Sequence, residues 1–144
     1  MTAPTPRRAP DPIRDTLSEV RRGLLRLHKS LIDAERAAFE RSRGPVTNSQ
    51  LLQSLIEDPF FAWLRPYSQL IVEIDEALAS REEPVTPDAA RGFVGRVREL
   101  VTVPDEHEQT MSRYEEVRSR HPDVLIAHVE IHNRIDNAQK ALDA

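Results

Sequence analysis

The chain has 144 residues, 39% of them hydrophobic and 31% charged, which is enough for one domain with a single core and too apolar for a disordered chain. It contains no cysteine, which excludes disulfides, thiolate metal sites and cysteine nucleophiles and favours a reducing, cytoplasmic setting. A formal net charge of −4 argues against a general nucleic-acid binder, which needs an excess of cations to displace counterions.

No stretch approaches the roughly 20 apolar residues of a membrane span, so no membrane partner is expected. Lys29 and Lys140 are the only lysines, an arginine bias that a GC-rich bacterial genome explains without a functional reason. Residues 1–12 carry Pro4, Pro6, Pro10 and Pro12, show no periodicity and read as a disordered tail. Arg7 and Arg8 lack the apolar segment of an export signal behind them. Residues 13–144 read as a single helical domain.

From Ile13 a long helix is expected, with Leu17, Val20, Leu24, Leu27, Leu31 and Ala38 on one stripe. Arg41, Arg43, Gly44 and Pro45 form its stop signal. Thr47 with Gln50 predicts a capping box and a short helix through Leu51, Leu52, Leu55 and Ile56. Asp58-Pro59 ends that helix and caps the next segment, which Pro66 divides into a short turn and a helix to about Ser80. Thr86-Pro87-Asp88 opens a helix carrying Phe93, Val94, Val97, Leu100 and Val101. Gly92 and Gly95 inside it predict either weakness or close packing. A polar helix is expected from Pro104 through Met111, Tyr114 and Val117. The last follows His121-Pro122-Asp123, with Val124, Ala127, Ile131, Ile135, Ala138 and Leu142 on its stripe. The fold expected is all-α: a four-helix-like bundle with one or two additional short helices.

Several polar side chains fall on these apolar faces at 100° per residue. Glu35 lies near the centre of the first stripe with His28 on the same face, Asp75 beside Ile71, Ile74 and Leu78, and His128 beside Ile131 and Ile135, with His132 one turn on. A buried carboxylate must be paired or hold a cation. Two arrangements fit. In one, Glu35 pairs with an arginine, for which Arg65 is a candidate, and the histidines are satisfied within the core. In the other, His28, Glu35, Asp75, His128 and His132 converge on a ligand or a divalent metal (Fe, Mn or Zn), the i, i+4 histidine pair supplying two ligands from one helix face. The paired His-x-x-x-Glu motifs of hemerythrins and the Glu-x-x-His motifs of ferritin-like bundles are absent, and no phosphate-binding glycine loop occurs.

Phe60, Phe61, Trp63, Leu64, Arg65 and Tyr67 gather most of the aromatic residues around Pro66. Trp, Tyr and Arg are the side chains that anchor protein interfaces. Two functions therefore follow. One is a non-catalytic helical module that binds a protein partner or self-associates through an apolar surface containing Trp63, with Arg65 and Tyr67 in support. The alternative is a ligand- or metal-binding bundle, an enzyme if the polar residues converge.

Overall fold

A computed structural model describes residues 11–102 and 112–144. Among these residues there are six α-helices, one 3-10 helix and no strand, so the all-α expectation holds. The helices are α1 (Pro12–Arg43), α2 (Asn48–Glu57), α3 (Arg65–Ala79), α4 (Pro87–Val101), α5 (Arg113–Arg120) and α6 (Pro122–Asp143), with the 3-10 helix over Pro59–Leu64. No helix among the described residues is long and apolar enough to cross a membrane.

Local chemistry sets most of the boundaries. Asp11 caps α1 by accepting from the Arg14 backbone N–H at 3.1 Å, with Pro12 at the first helical position. Asp11 and Pro12 thus belong to the helix, not to the expected tail; residues 1–10 lie outside the described residues. Gly44, at φ +83, closes α1 in the left-handed region, with its N–H on the Glu40 carbonyl at 2.8 Å. Thr47 and Gln50 form the expected reciprocal capping box. Asp58 caps the 3-10 helix, and Pro66 sits in the first turn of α3, where its missing N–H costs nothing. Ser112 caps α5; the Pro104–Met111 part of the polar helix expected there lies outside the described residues, apart from its Tyr114 and Val117 end.

Cross-helix pairs give the topology. Arg14 reaches the Leu78 carbonyl and Arg21 pairs with Asp75, so α3 runs antiparallel to α1. Tyr67 on the Leu100 carbonyl and Arg96 on Glu73 set α4 antiparallel to α3. Arg91 on the Leu142 carbonyl and Arg98 on Asp136 set α6 antiparallel to α4, while Arg26–Glu130 and Arg134–Glu19 set it antiparallel to α1. The result is an up-down-up-down bundle of α1, α3, α4 and α6. The C-terminal ends of α1 and α4 meet the N-terminal ends of α3 and α6, and α2, the 3-10 helix and α5 gather at that end.

The core is aliphatic along the bundle and aromatic at that end. Leu17, Val20, Leu24, Leu27 and Leu31 are fully buried as the stripe predicts. The stripe ends on Phe39 instead of Ala38, because the larger side chain turns inward against Phe60 and Phe61 at ring-centroid distances of 5.4 and 5.1 Å. Phe93 and Leu100 on α4 are only half-buried. A β carbon at Gly92 or Gly95 would meet nothing within 4 Å, so close packing is not the reason for either glycine. The close approach is at Gly23, where a β carbon would lie 2.6 Å from Ile131 Cδ1 and 2.9 Å from Arg134 Cδ.

This contrast is testable by urea unfolding. Gly23→Val should destabilise the fold by about 1–3 kcal/mol through overpacking against α6. Gly92→Ala, in open space on a helix, should stabilise it by roughly 0.5–1 kcal/mol. A neutral Gly23→Val would mean that α1 and α6 do not touch there.

Candidate functional site

The polar candidates separate into different settings. Glu35 is 1% exposed, the only buried charged side chain among the described residues. Its register on α1 places it one turn past Leu31 and one before Phe39, on the buried face of the helix. Both oxygens are occupied: Arg113 donates from Nη2 to Oε1 at 2.5 Å and from Nε to Oε2 at 3.1 Å, and the Trp63 indole N–H donates to Oε2 at 3.0 Å. This is the bidentate fork geometry in which arginine holds a carboxylate most firmly. Those hydrogen bonds push the Arg113 pKa further up, and Arg113 also reaches Glu116 at 2.9 Å.

The partner of Glu35 is therefore Arg113, not Arg65. Arg65 turns toward the chain behind it, with Nη2 3.4 Å from the Asp58 carbonyl. Trp63, expected on an exposed apolar surface, is half-buried, its indole N–H directed at Glu35.

Beside this pair runs a row of aromatic and imidazole rings. Trp63 meets Tyr67 edge-on at 6.0 Å, Tyr67 stacks on Tyr114 at 6.2 Å, Tyr114 lies 5.6 Å from His128, and His128 lies 4.5 Å from His132. Burial pushes the Tyr67 hydroxyl pKa up to about 12 and raises that of Tyr114, so both stay protonated at neutral pH.

The hydrogen bonds of these rings are structural. Tyr67 Oη donates to the Leu100 carbonyl at 3.0 Å, and His132 Nε2 lies 2.8 Å from the Val101 carbonyl. Both carbonyls belong to the last turn of α4, which has no helical donor for them, so the two rings cap α4. A carbonyl can only accept, so His132 Nε2 carries a proton. At His128, Arg118 Nη1 stands 3.3 Å from Nε2, and Tyr114 Oη 2.6 Å from Nδ1. Arginine can only donate, so Nε2 accepts and Nδ1–H donates to Tyr114. Both nitrogens of His128 and Nε2 of His132 are thus engaged, leaving the pair ill-placed to share an ion.

The other two candidates lie elsewhere. Asp75 is drawn outward into a half-exposed ion pair with Arg21. At 1.5 Å per residue Arg21 lies about 21 Å along α1 from Glu35, too far for one ion to bridge Asp75 and Glu35. His28, between them, is half-buried, which lowers its pKa. Among the described residues no group of three or more His, Asp or Glu side chains is arranged to hold a metal ion.

Arg113, Tyr114 and Arg118 complete the polar network, and sequence reasoning had not assigned them to it. All three come from α5, a polar helix whose inward positions Tyr114 and Val117 are the only apolar cue to its orientation. No protein-family model matches the chain, and no curated protein or solved structure is significantly similar to it.

A pH dependence follows. Burial first, then His132 and Arg118, lower the His128 pKa to about 4 from an ordinary 6.5. The unfolded chain therefore binds this proton more readily than the folded one. The contribution is fully present above pH 6.5 and is lost as pH falls toward 4. Between those limits unfolding should take up on the order of one more proton in the parent than in His128→Asn, seen as a steeper fall of stability with acidity. Identical pH profiles would contradict the assignment.

Proposed function

We propose that the chain is a non-catalytic helical module that works by binding protein through an aliphatic ridge on α6. The observation that carries this reading is the exposure of Leu125, Ile126 and Val129, at 48, 58 and 51%. They project from the side of α6 turned away from Val124, Ala127 and Ile131, which are buried. The first half of α6 is therefore aliphatic on both sides, the pattern of a helix packed between two surfaces.

The ridge amounts to on the order of 300 Å² of contiguous aliphatic surface, the size at which patches on soluble proteins are often functional. Covering it contributes roughly 7 kcal/mol at 25 cal/mol per Å². Association costs about 4–15 kcal/mol, so the ridge needs a partner with apolar surface of its own. The other exposed aliphatics are sparser: Leu52 and Ile56 on the ten-residue α2, and Val72 alone on α3. The commitment of Glu35, His128 and His132 to neighbouring side chains and helix ends supports a structural role for the polar network.

Affinity capture tests the reading. Immobilised parent protein should retain a protein, either further copies of itself or another chain, that Val129→Glu fails to retain while keeping its helical circular dichroism. Equal retention by both would overturn it.

A further inference from the structure

We infer that α5 is an acid-released strap: a proton taken up by His128 frees it from α6 while the four-helix bundle stays folded. Among the described residues, three side chains of α5 make hydrogen bonds outside their own helix. Arg113, at its start, ends on Glu35, whereas Tyr114 and Arg118 both end on the one imidazole of His128. The remaining polar contacts stay local, Glu116 pairing with Arg113 and Glu115 with Ser112. The far half of the helix is thus fastened at one point, and that point titrates.

The bonding scheme holds for one protonation state only. Nε2 of His128 accepts from Arg118, so it must be bare. A second proton on the ring goes to Nε2 and sets N–H against N–H, and cation against cation, at 3.3 Å. The surroundings supply no anion. Beside Tyr114 and Arg118 of α5 stands His132 of α6, its ring centroid 4.5 Å away. Tyr67 of α3 reaches His128 only through Tyr114. At the end of α4, the Val101 carbonyl is taken by His132, Arg98 is paired with Asp136, and Glu99 is exposed. On α1, the Arg26–Glu130 pair sets His28 at the level of His128, and Glu35 is held by Arg113. No carboxylate forms an ion pair with His128 among the described residues.

A charged imidazole with no anion beside it needs water. Of the two helices that cover the ring, α6 is tied to α1 through Arg26–Glu130 and to α4 through Arg98–Asp136. The weaker element is α5, eight residues long, with Tyr114 and Val117 as its buried residues. Lifting it wets His128 and uncovers Tyr67, on which Tyr114 stacks. Under the strap His128 titrates at about 4, and in the released state at its ordinary 6.5. The closed state is therefore fully favoured above pH 6.5 and loses ground as pH falls toward 4.

Amide exchange on the full chain at pH 7 and pH 5, expressed as protection factors, tests this. The amides of residues 116–121, bonded one turn back along α5, should lose protection roughly tenfold or more at pH 5. The centres of α1, α3, α4 and α6 should keep theirs. His128→Asn, which cannot titrate, should show no such loss. Arg118→Gln, whose carbonyl can accept from a protonated Nε2, should shrink it, and carries the test alone if His128→Asn fails to fold. Three results would overturn the inference: unchanged α5 protection at pH 5, a loss shared with the bundle centres, or a loss as large in a folded variant as in the parent. The last would move the proton to the Glu35–Arg113 pair.

Discussion

The carboxylate of Glu35 is the constraint on which one end of this protein is built. α1 is a continuous helix, so the register that buries Leu27, Leu31 and Phe39 also buries Glu35. Withdrawing an ion from water costs several kcal/mol even after relaxation, and only well-placed donors offset it. Three donors meet the two oxygens, from Trp63 on the 3-10 helix and Arg113 on α5. Arg113 remains partly open to solvent, which lowers its own desolvation cost while the carboxylate stays covered. The pair holds in place two short elements that could not hold themselves.

α5 depends on it most. Eight residues are too few for a helix to persist alone in water, where roughly 12–15 are needed. Its orientation comes from Arg113 on Glu35, from Tyr114 and Val117 against the core, and from Tyr114 and Arg118 on His128. The same rings finish α4, whose last carbonyls are met by Tyr67 and His132. Glu35, His128 and His132, which look like a site on a helical wheel, thus hold short elements and a helix end in place at one end of the bundle. The exposed aliphatic side chains Leu125, Ile126 and Val129 lie on the outer side of α6, whose inner side these contacts position.

How much of this was legible depended on whether the information was local. Caps at Thr47, Asp58 and Thr86 and the stop at Gly44 are set by neighbouring residues, and the aliphatic stripes by a fixed period, so the helices and the bundle could be read directly. The need of Glu35 for a partner was legible too, since a carboxylate at the centre of an aliphatic stripe has to be satisfied. The identity of that partner was not, because Arg113 lies far along the chain on a helix with almost no apolar pattern. Asp75 looked inward on the wheel, but an arginine from α1 draws its flexible carboxylate out to the edge. The partners of His132 and Tyr67 are backbone carbonyls, which every sequence contains and none advertises. Leu125, Ile126 and Val129 were visible as apolar residues, yet a stripe model assigns only one face of a helix and passes over the other.

The central claim, that a buried Glu35 carboxylate fastens α5 and the Trp63 turn to the bundle, is tested most directly by amide hydrogen exchange on the parent and on Glu35→Gln. The account predicts slow exchange of the Trp63 indole N–H in the parent. In Glu35→Gln it predicts loss of protection at that indole and across Arg113–Arg120, while the centres of α1, α3, α4 and α6 keep theirs. An indole that already exchanges freely in the parent, or α5 protection that survives in Glu35→Gln, would contradict it.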